Sequence, residues 1–173
     1  MLFLVTLGLR SLLLAPPQEQ TETITVTRLA DEVVVYSAQL GMEKRMYYWD
    51  KRCTIAKGDE LRQGSSAISE IRFTDGTLIR SFHGATIRPA GFEGGVRTIV
   101  FRAVYSALVE LGSDRSRLRL PGGALFEGSK SHLTIDQRDE AAWVLKNSGP
   151  DAVKLEGCRA PPASPSCSPA TRS

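Results

Sequence analysis

The sequence predicts an all-β fold: a single domain of many short strands and hairpins, arranged as a sandwich, a roll or a short β-solenoid. Three observations carry that expectation. Apolar residues recur with a period of two, as in half-buried strands. Glycine, proline and Asp-Gly punctuate the chain every few residues. The stretch from residue 23 to 157 has no long amphipathic helical pattern. Hydrophobic residues make up 42% of the 173 positions, enough for one modest core.

The chain opens with the apolar run MLFLVTLGLRSLLLA, which carries Arg10 in its middle. It is shorter than the roughly 18 residues that span a bilayer. The run reads as a signal peptide over residues 1–15, with a polar linker over 16–22. An extracytoplasmic location, periplasmic or secreted, follows from it, and no integral membrane span is expected.

The β domain is expected over residues 23–157. Ile24 and Val26 alternate with threonines. Val33, Val34 and Val35 form a short apolar run, as in a strand buried on both faces. If the next stretch is extended, Met46, Tyr48 and Asp50 share one face and Tyr47, Trp49 and Lys51 the other. Lys57 to Glu60 is turn-like, and Gly58 accepts positive φ at little cost. Leu61 is an apolar plug before a second turn at Gly64, Ser65 and Ser66. Ala67, Ser69, Ile71 and Phe73 then point to the core, while Glu70 and Arg72 face water. Asp75-Gly76 predicts a two-residue hairpin turn of type I′, leading into Thr77, Leu78, Ile79 and Arg80.

Further strands are expected at Thr98–Phe101, Tyr105–Leu111, Arg117–Leu120, in SHLTID and in AAWVLKNSG. The region from Asn147 to Asp151 predicts a hairpin joining Trp143–Leu145 to Ala152–Leu155. Residues 158–173 are rich in Pro and Ser and read as a disordered tail. Among the three cysteines, Cys53 reads as a small buried group, and Cys158 and Cys167 can close a small loop in an oxidising compartment.

The stretch GDELRQGSSAISEIRFTDGTLIR resembles the core signature of the FecR-like domain family, the ferric citrate sensor type. The matching positions are Gly58, Asp59, Leu61, Gly64, Ser65, Ser66, Ile71, Phe73, Asp75, Gly76, Thr77 and Leu78, with Gly58, Asp59, Leu61, Gly64, Ile71, Phe73, Asp75 and Gly76 as the turn and core residues among them. The resemblance implies an extracytoplasmic β domain for sensing, protein interaction or envelope scaffolding. In the type member, a cytoplasmic segment and a membrane span carry the signal to a sigma factor. The apolar start of this chain is too short for both, so a free-standing exported domain is expected. Its partner is expected to be a protein or an envelope polymer.

The residues themselves assign no catalytic, cofactor-binding or metal-ligating role, so no enzyme is expected. His83 and His132 lack the local partners of a triad, so a small hydrolase using either one ranks last among the readings. Asp59, Glu60 and Asp75 do not have calcium-loop spacing, and Glu110, Asp114 and Glu127 form a weaker group still. Lys plus Arg exceeds Asp plus Glu by only 22 to 19, and the basic residues are scattered, which argues against nucleic acid. Tyr47, Tyr48 and Trp49 are the candidate ligand contacts, and they raise an alternative reading as a carbohydrate-binding module.

Overall fold

A computed structural model describes residues 22–139, 142–150 and 154–156. The expected signal peptide, the tail and Cys158 and Cys167 lie outside these. The described chain is a succession of strands: β1 (Ile24–Ala30), β2 (Val33–Ser37), β3 (Met42–Met46), β4 (Arg52–Ile55), β5 (Glu60–Gln63), β6 (Ile68–Arg72), β7 (Leu78–Phe82) and β8 (Thr86–Glu93). There follow β9 (Val96–Ala103), β10 (Ser106–Glu110), β11 (Arg115–Arg119), β12 (Leu125–Gly128), β13 (His132–Asp139), β14 (Ala142–Asn147) and β15 (Lys154–Glu156). The only helical element among the described residues is a 3₁₀ turn at Pro121–Gly123. No helix there is long and apolar enough to cross a membrane.

The strands form two open sheets. One has the order β14-β13-β10-β7-β6-β1-β4, the other β15-β12-β11-β9-β8-β5-β2-β3. Alternation decides what lies between them. Ile24, Val26, Ile71, Ile79, Val109 and Ile135 point inward from the seven-stranded sheet. Val33, Leu61, Ile87, Ile99, Phe101 and Leu118 meet them from the eight-stranded sheet, in one continuous core. The result is a two-layer sandwich, one of the three expected arrangements. A buried polar bridge also joins the layers: Gln63 on β5 donates to the Ser69 hydroxyl on β6 at 2.7 Å.

Three details differ from the sequence reading. First, the turn before β7 has three residues. The Gly76 amide donates to Phe73 O at 3.2 Å, and the Phe73 amide to Thr77 O at 2.9 Å. Only Gly76 has positive φ, at 88°, where type I′ needs two such residues. The reason is that the Asp75 carboxylate folds back to accept from the Thr77 amide and hydroxyl. Second, β14 and β15 do not form a hairpin. β14 pairs with β13 in one sheet, and β15 pairs with β12 in the other. Third, Val34 is only half-buried, because it lies on the outer face between Arg45 and Arg62 in the pairing register.

Within the stretch from Gly58 to Gly76, the turn and core residues hold the scaffold together. Gly58 has φ 89° and donates its amide to Pro89 O at 2.7 Å. Asp59 is buried and accepts from the amides of Ala38 at 3.0 Å and Ala56 at 2.9 Å, tying two turns together. The Gly64 amide donates to Glu32 O, and its carbonyl accepts from Ala67 and Gly84. Leu61, Ile71 and Phe73 are core residues.

Candidate binding site

β3 and β4 are edge strands of different sheets, so their connection crosses one open flank of the sandwich. That connection holds Tyr47, Tyr48 and Trp49. It is a turn rather than an extended segment, with the Asp50 amide donating to Tyr47 O at 2.9 Å and the Lys51 amide to Trp49 O at 3.2 Å. The turn therefore gathers side chains that an extended strand would send to opposite faces. Tyr47 and Trp49 stack with centroids 4.9 Å apart and planes at 18°. Tyr48 meets Trp49 edge-on at 4.5 Å. All three rings remain largely exposed, with Tyr48 at 76% and Trp49 at 62%.

Arg28 holds this turn from β1. Its Nε donates to Tyr47 O at 3.1 Å, its Nη1 to Asp31 O at 3.2 Å, and its own amide to Lys51 O at 2.9 Å. Asp31 has φ 52°, an uncommon backbone state for a residue with a side chain. A cleft of about 300 Å³ lies beside the turn, lined by Arg28, Asp31, Glu32, Arg45, Tyr47 and Tyr48, with Met46 at its base. Arg45 and Glu32 pair across it at 3.1 Å. The site thus offers aromatic faces next to charged groups of both signs.

The other singled-out residues are not brought together. His83 is exposed, has φ 57°, and sets Nδ1 3.1 Å from Ser65 O. His132 is exposed at the start of β13. Asp59 serves backbone amides, Glu60 meets Arg62 and Arg102, and Glu127 meets Arg115 and Arg117. Among the described residues, no three His, Cys, Asp or Glu side chains are placed to share a metal ion. Cys53 is half-buried against the Met46 sulfur at 3.5 Å, and burial pushes its thiol pKa up.

Sequence reading missed Arg97. It is 2% exposed, on the inner side of β9. Its guanidinium meets Asp75 at 2.6 Å and Asp114 at 3.5 Å, and also pairs with Glu22. The Phe73 ring lies 4.8 Å from it and the Phe92 ring 5.7 Å. Burial alone would raise the Asp75 pKa. The Thr77 amide and hydroxyl and the Arg97 charge outweigh burial and hold it below the usual carboxylate value. The signal was legible in period two: Arg97 precedes Ile99 and Phe101 on the same side of the strand. The Arg97–Asp75 pair at the centre of this cluster is buried, whereas the aromatic turn is open.

Comparison with protein-family models, with curated proteins and with solved structures finds no match.

Proposed function

We propose that this chain is a non-catalytic, FecR-like binding domain working outside the cytoplasm, which contacts a protein or envelope polymer through the Tyr47–Trp49 turn. The observation that carries this reading is three clustered, exposed rings on a turn held in place by Arg28. Exposed aromatic clusters mark contact surfaces, because their burial by a partner removes a large apolar area from water. The scaffold roles of Gly58, Asp59, Leu61, Gly64, Ile71, Phe73, Asp75 and Gly76 support reading that motif as the folding core, leaving recognition to the flank. The test is capture from envelope extract by the native protein and by Tyr47→Ala/Trp49→Ala. A partner retained by the native protein and lost by the variant supports the proposal; equal capture by both overturns it.

The charged cleft beside the rings favours one second reading, a carbohydrate-binding module. Sugars stack their apolar faces on aromatic rings and hydrogen-bond through their rims. Retention on insoluble polysaccharide that Trp49→Ala abolishes would support it, and no retention of the native protein ends it. Location is read separately, from cell fractionation and the mass of the mature chain. Retention of residues 1–15 on a cytoplasmic protein would overturn export.

A further inference from the structure

Pairing gathers on one surface the arginines that the sequence scatters. On the outer face of the eight-stranded sheet, Arg62 engages Glu43 and Glu60, Arg102 engages Glu60, and Arg115 and Arg117 share Glu127. Two arginines of that face stand apart. Arg88 on β8 lies opposite Val100 on β9, and Val100 lies opposite Arg119 on β11, so the three form one row. With strands about 4.8 Å apart, the two arginines rise from backbones about 10 Å apart, with Val100 between them. A cleft of about 230 Å³ opens there, floored by Val100 and Thr98 and flanked by Arg88 and Arg119. Glu93 stands at its rim, 4.0 Å from Lys57. The Arg88 Nε is buried and has no hydrogen-bond partner, an unmet requirement that native structures rarely leave.

We propose that Arg88 and Arg119 form an oxyanion site for a sulfate- or phosphate-class group. Two arginines lining one cleft in a single row offer several N–H donors to the acceptor oxygens of such a group. The site lies on interior strands of the sheet, away from the aromatic turn at its edge, and does not depend on the reading of that turn. The oxyanion can be free or carried on a polymer, and the test separates the two.

The probes are inorganic sulfate, dextran sulfate and neutral dextran, titrated into the full chain at low ionic strength. Arginine Nε–Hε NMR resonances are the readout. A saturable shift of the Arg88 resonance with sulfate is expected, weakening as chloride is added. Arg88→Gln/Arg119→Gln should lower sulfate affinity at least about tenfold. Arg72→Gln/Arg80→Gln, the same charge change on the opposite sheet, should alter it less than about twofold. Tighter binding of dextran sulfate than of sulfate, with none of neutral dextran, assigns a polymer; saturation by sulfate alone assigns a free anion. No saturable shift in the native protein overturns the proposal, whatever the variants do. Equal losses in the two double variants overturn it as well, since they would reduce it to overall charge.

Discussion

Arg97 Nη1 and Asp75 Oδ2 lie 2.6 Å apart, with both side chains all but sealed from solvent. Arg97 belongs to the eight-stranded sheet, and Asp75 to the hairpin turn between β6 and β7 of the other. The pair therefore pins one end of the sandwich across its two layers. Glu22, two residues before β1, joins the same pin, and Asp114 adds the loop between β10 and β11.

Removing one partner strands a buried charge, a loss typically of about 3–5 kcal/mol. Arg97→Met, which strands Asp75, should lower stability on that scale in urea unfolding, and Asp75→Asn should cost less, because Glu22 and Asp114 still face Arg97. The double variant should lose less than the sum, because neither charge is then left alone. A change under about 1 kcal/mol for Arg97→Met would remove the pin from any role in stability.

Acid should weaken the same contact. The Asp75 pKa is lowered in the fold, so its contribution is fully present above the unfolded value, about 3.9. That contribution is lost as pH falls through the folded value. Glu70 acts in the same direction, held down first by its bond from Arg80 and then by Arg72 against the opposing effect of burial. Stability should stay level near neutrality and decline below about pH 4. Asp75→Asn should flatten that decline in unfolding curves taken across acid pH.

Gly112 leaves room for the Asp75 turn. A Cβ at that position would run into the Asp75 carbonyl oxygen and the Thr77 amide nitrogen. Gly112→Ala should destabilise by about 1–3 kcal/mol, the usual scale of overpacking. Thermal unfolding measures it, and an unchanged midpoint would show that the loop yields freely.

Stability should not depend on the aromatic turn as it does on the core. Trp49 is largely exposed, and Trp49→Ala should cost no more than about 1.5 kcal/mol, the scale of its ring contacts. Leu61 is fully buried, and Leu61→Ala should cost about 2–5 kcal/mol. With the two measured side by side, a binding loss in Trp49→Ala reports contact rather than unfolding.

Cys53 should react slowly. Burial raises its thiol pKa, chiefly by disfavouring the thiolate. Alkylation read by mass of the Cys53 peptide should be slow at neutral pH and quicken in strong alkali or denaturant. Rapid labelling of the native protein at neutral pH would contradict this.

Strand type and strand face were legible in the sequence because they depend on neighbours along the chain. Ser69, Ile71 and Phe73 turn inward and Arg72 outward by alternation alone. Gly58 takes positive φ because the local turn requires it. The aromatic residues were legible as a trio, but not their arrangement, since Arg28 reaches them from β1, 19 positions away.

Which strand lies beside which was settled by the tertiary structure. β14 and β15 are close in sequence yet belong to different sheets. Arg97 meets Asp75, 22 positions earlier, only because the two layers close over a common core. Arg88 and Arg119 share a row only because β9 lies between their strands. Alternation follows from backbone geometry within a strand, so the sequence alone determines it. Partner choice follows from burying apolar surface across the whole chain at once, and no local pattern encodes that sum.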